Sequence, residues 1–140
     1  MSISQMHTDG IKILVAEDLA TLRQHGGELL KQVLENHKIP IKQIEEAADG
    51  TEAVRKAKSI KPDFVLMDIA MPRLNGLEAT LQIKKVFCDA KILILTMHDN
   101  EEYIRKALAS GAMGYILKDA DAGELLGAIR AVHRGEAVLS

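Results

Sequence analysis

The sequence predicts an α/β domain: an open, doubly wound parallel sheet of five strands with helices on both faces. Two observations carry this. Five short apolar runs alternate with longer stretches whose apolar residues recur at helical spacing. The runs are nearly continuous, so each strand must be covered on both faces, as in a parallel sheet between helix layers. Right-handed crossovers then make the doubly wound sheet the simplest arrangement.

The first strand is Ile11-Lys12-Ile13-Leu14-Val15-Ala16, rich in branched residues. Leu22, Leu29, Leu30, Val33 and Leu34 then recur at helical spacing, predicting a helix from Leu19 to about Asn36, weakened at Gly26-Gly27. Ile41 to Ala48 is a weaker second strand anchored by Ile41 and Ile44. Asp49-Gly50-Thr51-Glu52 turns into a helix that runs to about Ile60 and is stopped by Pro62. Phe64-Val65-Leu66-Met67 is the third strand, ending at Asp68. A loop over residues 71–76 leads to a helix from Leu77 to about Phe87. Ile92-Leu93-Ile94-Leu95, closed by Thr96, is the fourth strand. A helix opens at Asp99-Asn100-Glu101-Glu102 and ends at Gly111. Residues 113–117 form the fifth strand, followed by Lys118. Asp121 and Glu124 have capping-box spacing ahead of a helix carrying Leu125, Leu126, Ile129 and Val132.

A chain of 140 residues suits one domain with its own core. A net charge of −2 gives no general pull toward nucleic acid. The single cysteine, Cys88, excludes an internal disulfide and a cysteine-based zinc site. No apolar run approaches the ~18 residues of a membrane span, and residues 1–10 lack the pattern of a signal peptide. The expectation is a tail over residues 1–10, one domain over 11–134, the start of a linker over 135–140, and a cytoplasmic location.

Ligands of such sheets bind at the carboxyl ends of the strands, near the point where strand order reverses. The first strand delivers Glu17 and Asp18 there, the third Asp68, the fourth Thr96 and the fifth Lys118. Taken singly, an aspartate in such a place reads as a helix cap, Thr96 as a turn former and Lys118 as a surface charge. Together they form a chemical set. Three neighbouring carboxylates call for a hard cation such as Mg2+, whose remaining positions take water and phosphate oxygens. Lys118 offers a point charge to a phosphate oxygen, and the Thr96 hydroxyl can donate to another. Asp68 is left as the nucleophile, forming a mixed anhydride; a carboxylate is ionised at neutral pH and needs no general base.

These residues sit in recognisable motifs: Val15-Ala16-Glu17-Asp18, Ala48-Asp49-Gly50-Thr51-Glu52-Ala53, Asp68-Ile69-Ala70-Met71-Pro72 with Gly76, Leu95-Thr96, and the run from Ser110 to Lys118. Over residues 11–134 the chain resembles the receiver domain of two-component response regulators. The resemblance implies a flavodoxin-like sheet with strand order 2-1-3-4-5. It implies transfer of a phosphoryl group from a histidine kinase to Asp68, and Mg2+ held by Glu17, Asp18, Asp68 and the backbone carbonyl of Ala70. Thr96 would move toward the phosphoryl group and Tyr115 would change rotamer with it, a population shift between two arrangements. Tyr115-Ile116-Leu117-Lys118-Asp119 and the closing residues 135–140 resemble the NarL/LuxR-type subfamily, which carries a C-terminal helix-turn-helix output domain. Leu19, Ala70 and His98 depart from the commoner pattern and are expected to tune the rate of phosphoryl loss.

No helix-turn-helix fits after Val132, so this chain is not expected to bind DNA itself, and an excised receiver is favoured over a stand-alone one. A homodimer is a further expectation, through either the face made by the Asp99–Ser110 helix, the fifth strand and the last helix, or the face made by the first and last helices. The competing functions are weaker. An aspartyl phosphatase typically wants a second acid two residues after the nucleophile, where this chain has Ala70. A flavin or nucleotide module needs a phosphate-cradling loop after the first strand, where Glu17-Asp18 repel phosphate. A receiver-like scaffold that is never phosphorylated would not need all five site residues. The expected role is a phosphorylated switch, not an enzyme acting on a separate substrate.

Overall fold

The computed structural model describes residues 11–16, 41–68, 75–96, 101–117, 122–136 and 138–139. Their elements are β1 (Ile11–Ala16), β2 (Ile41–Ala47), α1 (Gly50–Ile60), β3 (Phe64–Asp68), α2 (Gly76–Val86), β4 (Lys91–Thr96), α3 (Glu101–Ala109), β5 (Gly114–Leu117), α4 (Ala122–His133) and β6 (Val138–Leu139). The tail expected over residues 1–10 and the helix expected from Leu19 to about Asn36 lie outside the described residues.

All strand pairings are parallel, in the order β2-β1-β3-β4-β5-β6. The five-stranded order 2-1-3-4-5 is thus as expected. The chain moves outward from β1 to β2, then returns to the other side of β1 as β3. The order therefore reverses between β1 and β3, beside Asp68.

Strand alternation sorts the core into two layers. Leu14, Ala16, Val65, Met67, Ile92, Ile94 and Tyr115 pack with Ala53, Val54 and Ala57 of α1, Ala79 and Ile83 of α2, and Ala107 of α3. Ile13, Val15, Phe64, Leu66, Leu93, Leu95 and Ile116 pack with Leu126, Ala128, Ile129 and Val132 of α4. Both faces of the sheet are covered, which is why β3 and β4 carry almost no polar residue before their last.

The helix ends explain the element boundaries. Asp49 caps α1 by accepting from the Glu52 N–H at 2.8 Å, so β2 stops at Ala47 and Ala48 belongs to the bend. Asn75 caps α2 through the Glu78 N–H at 2.9 Å, so that helix begins at Gly76. At the other end, lysines reach the carbonyls that helices leave unpaired, where the helix dipole is negative. Lys12 donates to Ile60 O at 3.0 Å and Lys91 to His133 O at 2.5 Å, while Lys84 closes the turn after α2 by donating to Cys88 O at 2.5 Å and Ala90 O at 2.9 Å. Lys56 ties α1 to β2, pairing with Glu52 at 3.1 Å and Glu45 at 3.8 Å and donating to Glu46 O.

After α4 the structure adds a strand that the sequence did not predict: Val138 pairs with Gly114 and Leu139 with Tyr115. The cause is local. Gly135 has φ 85°, its N–H bonds to Val132 O at 2.9 Å, and the Glu136 N–H bonds to Ala131 O at 2.9 Å. This six-to-one, five-to-two pattern closes the helix and reverses the chain.

Candidate functional site

β3 is Phe-Val-Leu-Met-Asp, buried along its whole length. Four apolar residues fix the strand in the centre of the sheet and carry Asp68 to its carboxyl end. Asp68 is 0% exposed. The next helix, α2, starts at Gly76 and has Asn75 as its own cap. Asp68 is therefore not the cap of α2, and the bland account of this aspartate fails. Burying a carboxylate is costly unless partners meet it, so a fully buried one at a strand end is a chemical feature rather than a packing one.

Thr96 ends β4 in the same way, at 2% exposed. Among the described residues the buried polar side chains are Asp49, Asp68, Thr80 and Thr96. Asp49 is a cap, and Thr80 lies within α2. The other two stand at the ends of adjacent strands. Asp68 pairs with Leu95, so Thr96 lies one residue further along the ladder. The two side chains consequently start from opposite faces of the sheet, and both reach its rim.

Thr96 shares its face with Ile94 and Tyr115. Ile94 is paired between Met67 and Tyr115. Ile94, Thr96 and Tyr115 form one wall of an open notch whose other wall is Tyr103, Ile104 and Ala107 of α3. Tyr115 is 8% exposed, its ring set against this helix. Thr96 and Tyr115 thus line one wall that runs from the carboxyl end of β4, the strand beside Asp68, to α3. Tyr103 was missed in the sequence. Its place four residues before the buried Ala107 was the available signal, although Tyr103 itself is 47% exposed.

Of the other expected site residues, Glu17, Asp18, Ala70 and Lys118 lie outside the described residues, as do Leu19 and His98. The described strands lead directly to three of them. β1 ends at Ala16, immediately before Glu17 and Asp18, and β5 ends at Leu117, immediately before Lys118. Ala16 is paired with Met67, Asp68 with Leu95 and Thr96 with Leu117, so β1, β3, β4 and β5 end within two residues of one another along the ladder. Among the described residues no group of three or more acidic, histidine or cysteine side chains is gathered for a metal; Asp68 is the one expected ligand within them.

The sequence matches the family described as response regulator receiver domain over residues 13–130. It is 41% identical over 133 residues to the transcriptional regulatory protein YxjL of Bacillus subtilis, covering 95% of this chain and 59% of that protein. It is 42% identical over 127 residues to the oxygen regulatory protein NreC of Staphylococcus carnosus, covering 90% of this chain and 56% of that protein. The chain therefore spans less than three-fifths of the length of these curated relatives. Among solved structures, a LuxR-family two-component response regulator from Aurantimonas superposes with a TM-score of 0.81 at 33% identity, covering 94% of this chain and 89% of that one.

Proposed function

This chain belongs to the response regulator receiver family, of the NarL/LuxR type, and from that premise we propose that Asp68 accepts a phosphoryl group from a sensor histidine kinase. One observation carries the assignment: a fully buried carboxylate that does not cap α2, at the end of the central strand beside the switch point of the sheet. A carboxylate oxygen of Asp68 attacks phosphorus. The bond from phosphorus to the donor's imidazole nitrogen breaks, and its electron pair leaves with the imidazole. Asp68 then carries a mixed anhydride, and attack by water later returns the carboxylate and releases inorganic phosphate. The domain promotes both steps on itself and acts as a signalling switch.

The donor set suits Mg2+. Asp68 ends one strand, and β1 leads in sequence into Glu17 and Asp18, so hard oxygen donors would meet at one rim. Glu17, Asp18, Asp68 and the Ala70 carbonyl would hold the ion. When bound it offsets charge on the phosphoryl oxygens. Lys118 would pair with one such oxygen, and the Thr96 hydroxyl would donate to another. Thr96 is on the same wall as Tyr115, so its movement frees or fills space beside that ring and shifts the balance between two arrangements. In a longer protein of this subfamily the shift would control a DNA-binding output domain, and the location would be cytoplasmic.

The test is incubation with acetyl phosphate and Mg2+. Intact mass rises by one phosphoryl group, and chelation of the metal with EDTA abolishes the gain. No gain in mass with Mg2+ present would overturn the proposal.

A further inference from the structure

Without β6, β5 would be the edge strand of the sheet, with β4 as its one neighbour. The turn at Gly135 sends the chain back so that Val138 and Leu139 cover that edge at Gly114 and Tyr115. Tyr115 then belongs to two structures at once. Its backbone lies between Ile94 and Leu139, while its side chain lines the notch that Thr96 also lines. A two-residue ladder makes few hydrogen bonds, so its occupancy can respond to small changes in the strand it rests on.

We propose that the edge of β5 is the docking site for the segment after α4, and that the pairing of this strap with Gly114 and Tyr115 is coupled to the phosphorylation state of Asp68 through Thr96 and Tyr115. The docking half stands on the backbone geometry alone; the coupling half rests on the assignment of Asp68 as phosphoacceptor. The shared wall sets the direction. When Thr96 is drawn toward a phosphoryl group on Asp68, the space it leaves is filled by the Tyr115 ring. The ring then pins β5 against α3 and gives the strap a more rigid template. In a longer protein of the NarL/LuxR type, the strap would be the first stretch joining the receiver domain to a C-terminal output domain. The signal would be read there as a connection made tighter.

The occupant is the chain's own segment and not that of a second copy. Only two residues separate Gly135 from Val138, and the reversal at Gly135 is already closed by its two backbone bonds, so the strap reaches the edge at no cost in long-loop entropy.

Residue-resolved amide hydrogen exchange tests both halves. In the unmodified chain the β5 amides from Gly114 to Ile116 exchange about fivefold or more slowly than in a variant shortened to end at Gly135. Equal rates would overturn the docking. Protection that rises with protein concentration would also overturn it, because a second copy would then be the occupant. After treatment with acetyl phosphate and Mg2+, with the added phosphoryl group verified by mass, the amides of Val138 and Leu139 slow by about a further fivefold. Unchanged or faster exchange in verified phosphoprotein would overturn the coupling and leave the assignment of Asp68 intact. Absence of the mass gain would instead overturn that assignment, and the coupling with it, while the comparison with the shortened variant still decides the docking.

Discussion

Thr80 is fully buried in α2, and its hydroxyl has no hydrogen-bond partner among the described residues. A buried unpaired hydroxyl costs about 1–3 kcal/mol, while valine fills the same volume with nearly the same helix propensity. Thr80→Val is therefore expected to stabilise the fold by about 1 kcal/mol, raising Tm by about 3 °C; a clear loss of stability on thermal unfolding would mean that the hydroxyl has a partner after all. Thr96 is the other buried threonine and has the opposite expectation. Thr96→Val keeps the volume and removes the donor, so the fold persists while phosphorylation by acetyl phosphate slows by about tenfold or more, as expected for losing one hydrogen bond to a charged group; an unchanged rate would remove Thr96 from the chemistry. At this scale much of the site was legible. Asp68 and Thr96 each close an apolar run, so their place at the rim could be read from strand length alone. Their burial could not, because it depends on how far the neighbouring strands and helices extend beside them. The roles of Glu17, Asp18, Ala70 and Lys118 stay proposals, since these residues lie outside the described ones.

Three of the helices end on a residue in the left-handed region, and the choice of residue differs. Gly111 has φ 109° and Gly135 φ 85°, while Lys61 after α1 has φ 49°. A side chain in that region costs about 1–2 kcal/mol. At Gly111 an added Cβ would also lie 2.8 Å from Cγ of Lys84, whereas at Gly135 it would meet nothing. Gly111→Ala is thus expected to cost about 2–3 kcal/mol and Gly135→Ala about 1 kcal/mol, with Lys61→Gly gaining a few tenths. Urea denaturation of the three variants checks the ranking, and equal losses at the two glycines would contradict it. Helices and strands with strong periodicity were plain in the sequence; Gly111 and Pro62 marked two ends correctly. Asn75 was passed over as part of a loop, although Glu78 three residues later gives the spacing of a cap. β6 was not legible because the three apolar residues after Gly135-Glu136 are too short a run to carry a period. What creates the strand is the backbone reversal at Gly135 together with an uncovered edge on β5.

Across the whole molecule the two ends of the sheet are chemically distinct. Lys12, Lys84 and Lys91 meet backbone carbonyls at the end where strands begin, and the buried Asp68 and Thr96 lie where strands end. That division puts Asp68, the one expected metal ligand among the described residues, at the end away from these lysines. Mg2+ at about ten times its dissociation constant is expected to stabilise the fold by about 1.4 kcal/mol, or about 4 °C in Tm, and to do so less in Asp68→Asn. Equal shifts in both proteins, measured by thermal unfolding, would place the ion elsewhere. A parallel sheet was readable from five apolar runs, and the resemblance to receiver domains supplied its order. Among the described residues no helix is long and apolar enough to cross a membrane. The central claim is that one residue, Asp68, takes the phosphoryl group. Its most direct test is borohydride reduction of the protein after treatment with acetyl phosphate and Mg2+, followed by peptide mass mapping. Hydride converts an acyl phosphate to the alcohol, so residue 68 is predicted to become homoserine in the wild type, with no reduced residue in Asp68→Asn. A reduced residue at any other position, or none in the wild type, would contradict the account.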